Sequence, residues 1–181
     1  MSYIYIIQKF KKYQVKVRLM SKNYYIERFK LSHINKVNEL AYKFWGKNGP
    51  YSDTYYIRLI FQKLSMCLII DRQFAGACLC ENLGKKRCLI SLLMIDEKFQ
   101  SKGFGKLLLS FCVENLISKK FNFCILQVST KNSKAINLYE NLNFFKINYL
   151  NNYYIGERDS DAFLMGKYLY KPKFDYECFT N

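Results

Sequence analysis

The period of the hydrophobic pattern changes several times along this chain, and each change marks an element. Val15, Val17 and Leu19 alternate with Lys16 and Arg18, a period of two that predicts a strand. Residues 1–20 are thus expected to hold an extra strand or hairpin ahead of a main domain. Tyr24 to Leu31 reads as another strand. After Ser32, the apolar residues Ile34, Val37, Ala41, Phe44 and Trp45 recur at three and four, which predicts a helix capped by Ser32. Gly49-Pro50 interrupts it, and a shorter helix is expected from near Asp53 to Lys63. Met66 to Ile70 and Phe74 to Cys80 read as strands about the turn Asp71-Arg72-Gln73, with a second turn at Leu83-Gly84-Lys85-Lys86. Cys88 to Ile95 is nearly all apolar, as expected of a central strand covered on both faces. A helix follows from Gly103 to about Ser118, with Leu108, Cys112 and Leu116 four apart. Asn122 to Val128 reads as a strand. Ser133 to Leu142 reads as a helix with Ala135, Leu138, Tyr139 and Leu142 on one face. Phe144 to Tyr154 and Ala162 to Tyr170 are strand-like. The order predicts a mixed α/β (α+β) domain whose strands pair locally at both ends.

Composition narrows the class. A chain of 181 residues suits one domain with one sizeable core. With 16 Tyr and 15 Phe it is too aromatic for a disordered chain. The formal charge is +15, carried mostly by 23 Lys against 6 Arg, so lysine bias lowers the information in any single Lys. A nucleic-acid binder usually relies on Arg for bidentate contacts, and no nucleic-acid motif is present. Seven Cys, an odd number with no CxxC pair, lie mostly in apolar runs. They read as buried thiols of a reducing compartment, and their spacing gives no zinc knuckle. The apolar start is short and has no small-residue cleavage site, which argues against a signal peptide. No run reaches the roughly 18 apolar residues needed to span a bilayer. The expected location is the cytoplasm, with the nucleus as the alternative.

The strongest local chemistry is Gln100-Ser101-Lys102-Gly103-Phe104-Gly105-Lys106, between the central strand and a helix. Its glycines let backbone approach a ligand, and the first-turn N–H groups and helix dipole attract an anion such as a pyrophosphate. A GxG at such a junction often serves only the turn. Some thirty residues later comes Asn132-Ser133-Lys134-Ala135-Ile136-Asn137-Leu138-Tyr139-Glu140-Asn141-Leu142-Asn143-Phe144. Together the two segments resemble the acetyl-CoA motifs of the GNAT superfamily of N-acetyltransferases: a Q/R-x-x-G-x-G/A loop and an N-x-x-A-x-x-x-Y-x-x-x-G-F helix, with Asn143 in place of the Gly.

The resemblance covers about residues 24–170 and implies a GNAT fold. That fold is a mixed, mostly antiparallel sheet of about seven strands with a splayed pair, flanked by about four helices. Residues 1–23 are then an N-terminal strand-like extension and 171–181 a C-terminal tail. The implied cosubstrate is acetyl-CoA, with no metal. The family places it against the backbone of Leu92 to Ile95, so Leu93, Met94 and Ile95 join Gln100 to Lys106, Asn132, Ala135 and Tyr139 as cofactor-binding residues.

Pro50-Tyr51-Ser52-Asp53-Thr54-Tyr55-Tyr56 and the ending Tyr153-Tyr154…Asp161-Ala162-Phe163-Leu164-Met165 resemble eukaryotic protein N-terminal acetyltransferases of the NatE and NatF type. The resemblance implies a substrate slot lined by Tyr51, Ser91, Tyr153 and Tyr154. The implied reaction is attack of a protein's α-amino group on the thioester in a ternary complex. With a pKa of about 8, that amine needs only modest base help. Tyr139 is the implied proton donor to the departing thiolate. The family's Tyr and His, which hold a catalytic water, fall on Leu89 and Gln127. Neither is a base, although Gln127 can hydrogen-bond a water or the amine.

Two alternatives stay open: a GNAT enzyme for a Lys side chain or small amine, and a weakly active acetyl-CoA-binding subunit of an acetyltransferase complex. Expected partners are protein N-termini, with such a complex or the ribosome as further candidates, and no specific nucleic acid. The Tyr-rich slot suggests Met followed by a bulky residue. Lys102, Lys106, Lys131 and Lys134 flank the two motifs and can attract the cosubstrate's phosphates.

Overall fold

A computed structural model describes residues 15–19, 22–46, 51–154 and 160–170. Among the described residues, eight strands and four helices follow one another in chain order. They are β1 (Val15–Leu19), β2 (Lys22–Arg28), α1 (Ile34–Trp45), α2 (Asp53–Gln62), β3 (Met66–Ile70), β4 (Gln73–Gly84), β5 (Arg87–Ile95), α3 (Phe104–Ser118), β6 (Phe123–Ser129), α4 (Ser133–Glu140), β7 (Phe145–Leu150) and β8 (Ala162–Tyr168). The strands form one sheet in the order β1-β2-β3-β4-β5-β6-β8-β7. Strands β2 to β8 are the seven of the expected sheet, and β1 adds an eighth by pairing antiparallel with β2. β2 opens at Lys22, so the strand straddles the boundary drawn at residue 24.

Period-two alternation sends neighbouring side chains to opposite faces of this sheet. Cys78 and Cys80 of β4 join Leu108, Leu109 and Cys112 of α3 on one face, with Ile136 and Tyr139 of α4. Ala77 and Leu79 join Val37, Leu40 and Ala41 of α1 and Tyr56 and Leu59 of α2 on the other. β5 contributes Cys88 and Ile90 to the first cluster and Leu92 and Met94 to the second, as expected of a strand covered twice.

Several boundaries differ from the sequence reading. Ser32 does not cap α1. It lies within a single 3-10 turn, Leu31–His33, and α1 begins after His33 without a side-chain cap bond. Phe44 and Trp45 are not on the buried face, because α1 ends there and its last turn reaches solvent. β4 runs on to Gly84, which leaves only Lys85-Lys86 to turn. The strand expected to Tyr154 stops at Leu150. Gly49-Pro50 lies outside the described residues.

All six described cysteines are free and buried. The sulfurs of Cys78, Cys80 and Cys112 lie within 4.8 Å of one another, a cluster invisible in the spacing because β4 and α3 bring it together. Burial pushes the thiols of Cys67 and Cys112 well up and that of Cys124 up to about 12, so they pack as small neutral apolar groups. Among the described residues, no helix is long and apolar enough to cross a membrane.

Candidate active site

The site grows from one irregularity in the sheet. β5 and β6 are the parallel pair, and they are joined only at Arg87–Leu89 with Phe123–Ile125. Beyond Leu89 the strands diverge, while β5 continues to Ile95 and β6 to Ser129. A bulge marks the same place on the other side of β5. Leu79 pairs Leu92 and Cys80 pairs Ile90, so Ser91 is the extra residue. The bulge bends β5, and the last six residues of the strand lose β6 as a partner. Two carbonyls of this stretch accept from side chains instead: Tyr51 Oη donates to Ser91 O (3.1 Å) and Gln100 Nε2 donates to Ile95 O (2.8 Å).

At the far end of β5 the chain turns through Glu97–Phe99 into the glycine loop. Ser101 and Gly103 have positive φ (58° and 81°), and Gly103 is the N-cap of α3 with no side-chain cap bond. The first i→i−4 bond of α3 runs from Leu107 N to Gly103 O (3.0 Å), which leaves the amides of Phe104, Gly105 and Lys106 ahead of the helical ladder. Gly103 is needed for its backbone conformation. A Cβ on Gly105 would meet only ordinary contacts, at 3.6 and 3.8 Å. Lys106, Lys131 and Lys134 are exposed near the motifs. Lys102 is exposed too, but its Nζ is folded back onto Lys98 O (2.7 Å). Across the splay, Asn132 caps α4 by accepting from Ala135 N (3.0 Å).

Two further segments come together beside Ser91: the one that leads into α2 and the one that follows β7. In the first, Ser52 caps α2 by accepting from Tyr55 N (3.3 Å), and Tyr51 N donates to Tyr56 Oη (3.2 Å), which itself donates to Asn38 Oδ1 (2.6 Å). In the second, Asp161 accepts from Tyr149 Oη and from Asn152 N, and Tyr154 N donates to Ser160 O (2.8 Å). These bonds hold Tyr153 and Tyr154, which meet edge to face at 5.0 Å. The two loops converge: Tyr51 lies near enough to Tyr153 to interact electrostatically, and Tyr139 to Tyr154. The structure therefore brings Tyr51, Ser91, Tyr153, Tyr154 and Tyr139 into one neighbourhood. Tyr139 is buried and packs on Phe144 (5.8 Å). Burial, then the neighbouring Cys78 and Tyr154, push its hydroxyl well above the ordinary tyrosine range. Gln127 is half-buried on β6 opposite Leu164, and Leu89 is the last β5 residue paired with β6.

Sequence reasoning missed Glu81 and the work of Tyr55. Glu81 Oε2 accepts from Tyr55 Oη (3.2 Å) and Oε1 pairs with Arg58 (2.7 Å). Tyr55 stood in the quoted motif, but nothing in the sequence links it to Glu81, 26 residues away. Asp161 ties the segment after β7 to β8: one carboxylate oxygen accepts from Tyr149 Oη and the other from Asn152 N.

Comparison with known proteins decides the family. The model of the Acetyltransferase (GNAT) family matches residues 34–144. The chain belongs to the GNAT acetyltransferase family. It is similar to N-alpha-acetyltransferase 30 of Xenopus laevis, 28% identical over 117 residues that cover 61% of this chain and 43% of that protein. The Dictyostelium discoideum protein of the same name is 28% identical over 121 residues, 64% of this chain and 65% of its own length. The chain thus spans less than two thirds of these curated relatives. Among solved structures, Arabidopsis thaliana Naa50 in complex with the bisubstrate analogue CoA-Ac-MVNAL shares the fold. Its TM-score is 0.69 at 22% identity, over 80% of this chain and 97% of that one. The GNAT fold accounts for the splay of β5 from β6 and for the glycine loop that leads into α3.

Proposed function

We propose that this GNAT protein transfers the acetyl group of acetyl-CoA to the α-amino group of protein N-termini. One observation carries the reading. Tyr51 and the Tyr153–Tyr154 pair come together beside Ser91 on β5, while the anion-attracting start of α3 follows the far end of that strand. A peptide terminus and a phosphorylated cosubstrate can therefore meet at β5 from different directions. The names of the relatives, N-alpha-acetyltransferase, support it.

The residues present suit acetyl-CoA. The amides of Phe104 to Lys106 with Lys106, Lys131 and Lys134 form a donor set for phosphates, and the backbone of Leu93 to Ile95 borders the splay. Gln100 to Gly105, Asn132, Ala135 and Tyr139 surround this region. Acetyl-CoA supplies the acetyl group as an activated thioester. Within the chain, Gln127 can hold a water or the amine but cannot take its proton. A peptide α-amine of pKa about 8 is partly neutral at cellular pH, so positioning carries most of the catalysis. Tyr139 Oη keeps its proton at neutral pH; in the proposed step it passes that proton to the leaving sulfur as the C–S bond breaks and is reprotonated, through a water held at Gln127, by the proton the amine loses as the C–N bond forms. The slot's aromatic walls favour Met followed by a bulky residue. Free buried thiols support a reducing compartment such as the cytoplasm. The basic surface suits an acidic partner such as the ribosome.

A panel of amino-terminal peptides incubated with acetyl-CoA tests the reading by mass spectrometry. The expected product is acetylated on the α-amine, with a preference for Met-hydrophobic starts. Acetylation only of Lys side chains or small amines would replace this reading with another GNAT chemistry. Acetyl-CoA binding without turnover would favour the non-catalytic subunit, for which the residues at positions 89 and 127 already argue.

A further inference from the structure

Glu81 is a carboxylate near the end of an apolar run on β4. Its side chain is 16% exposed and lies against α2. Burying a carboxylate there costs free energy unless it is paired. Its partners are both on α2. Arg58 takes one oxygen and lays its guanidinium over the Tyr55 ring at 5.1 Å. Tyr55 Oη donates to the other oxygen, and Ser91 at the bulge is a neighbour of the same hydroxyl. Tyr55 is thus held at its edge by Glu81 and on its face by Arg58. Its ring lies against Tyr51, with centroids 4.5 Å apart and planes 31° apart, and Tyr51 Oη ends on Ser91 O. The sequence of contacts runs from a rigid strand, through a helix, to the loop residue that walls the slot.

We infer that Glu81 is a positioning residue of the substrate slot: by locking Tyr55 it holds Tyr51 on the Ser91 carbonyl and sets the shape of the slot for the peptide's first residues. This rests on the reading of the slot as a peptide site. A loop wall fixed by groups on a strand and a helix is held more closely than one fixed by the loop itself. Glu81 touches neither the glycine loop nor Tyr139 in any hydrogen bond or ion pair, so the effect falls on the peptide and not on acetyl-CoA.

Steady-state kinetics with acetyl-CoA and a Met-starting peptide test the inference on three variants. Glu81→Ala is expected to raise the peptide KM about five- to tenfold, with kcat within about twofold and the acetyl-CoA KM unchanged. Tyr55→Phe, which keeps the ring stack and loses the bond to Glu81, should move the same constant in the same direction. Glu81→Gln, whose amide oxygen still accepts from Tyr55, should restore most of the wild-type KM. An unchanged peptide KM in Glu81→Ala, equal rises in both KM values, or no rescue by Glu81→Gln would overturn it. Hydrogen exchange gives a readout that does not need turnover. Residues 51–62 should exchange faster in Glu81→Ala than in wild type, while residues 104–118 keep their protection. If the wild-type protein acetylates no peptide, the peptide reading fails by itself, and unchanged protection of residues 51–62 in Glu81→Ala overturns the positioning role separately.

Discussion

Tyr139 belongs to the core, and in the proposed reaction it is also the proton donor. Its ring packs on Phe144 and its burial keeps the hydroxyl protonated throughout the neutral range. Tyr139→Phe keeps the packing and deletes the proton donor, so kcat should fall about 100-fold with both KM values nearly unchanged. A comparable loss from Tyr139→Phe in thermal stability would instead mark a structural hydroxyl. His33, the sole histidine, shows the opposite case, a titratable group with no place in the reaction. Its ring stands between Phe29 and Phe74. Lys30 N donates to Nδ1 (3.3 Å), which assigns the proton of the neutral ring to Nε2, facing Glu27 Oε1 at 3.0 Å. Burial lowers its pKa, and Glu27 opposes this only in part. The unfolded chain therefore takes up a proton near pH 6.5 that the folded chain refuses. Stability should fall as pH drops from about 6.5 to the lower folded value. The urea midpoint measured between pH 7.5 and 5 checks this, and His33→Gln should flatten that part of the curve.

At the scale of elements, two glycines with crowded surroundings separate backbone from side-chain constraints. A Cβ on Gly76 of β4 would lie 2.3 Å from Met94 O and 3.2 Å from Ile95 Cα, both backbone atoms of β5 that cannot move without moving the strand. A Cβ on Gly166 of β8 would meet the ends of Ile147 and Phe123 at 2.6 Å, and those can rotate away. Gly76→Ala should cost roughly 3 kcal/mol and Gly166→Ala about 1 kcal/mol by denaturant titration. Nothing in a linear pattern distinguishes these two positions. The pattern did show where the elements are, because period and length are local properties. It misplaced their ends where tertiary contacts decide. Ser32 looked like a cap, but the His33 network draws the chain into a 3-10 turn first. β4 looked finished at Cys80, yet pairing with β5 carries it to Gly84.

For the whole molecule, the glycine loop and the Asn132–Phe144 segment that holds α4 were legible because each is one contiguous stretch of sequence. The support behind Tyr51 was not. Glu81 and Tyr55 lie on separate elements, and only the bulge in β5 and the packing of α2 on β4 bring them together beside Ser91. The divergence of β5 from β6 has a further meaning. It is a pair of strand edges inside a finished sheet, half-covered by borrowed side chains such as Tyr51 and Gln100. Exposed edges invite pairing with another chain and open more readily to solvent. A ligand that fills the gap binds only the folded form. At a hundred times its dissociation constant it adds about 2.7 kcal/mol, which for a domain of this size raises the melting temperature by roughly 5–10 °C. Acetyl-CoA titrated in a thermal melt should show that rise, and acetate alone should not. With acetyl-CoA as the proposed cosubstrate, the folded fraction then follows its concentration: the same chain holds its fold to a higher temperature where the ligand is plentiful and to a lower one where it is scarce.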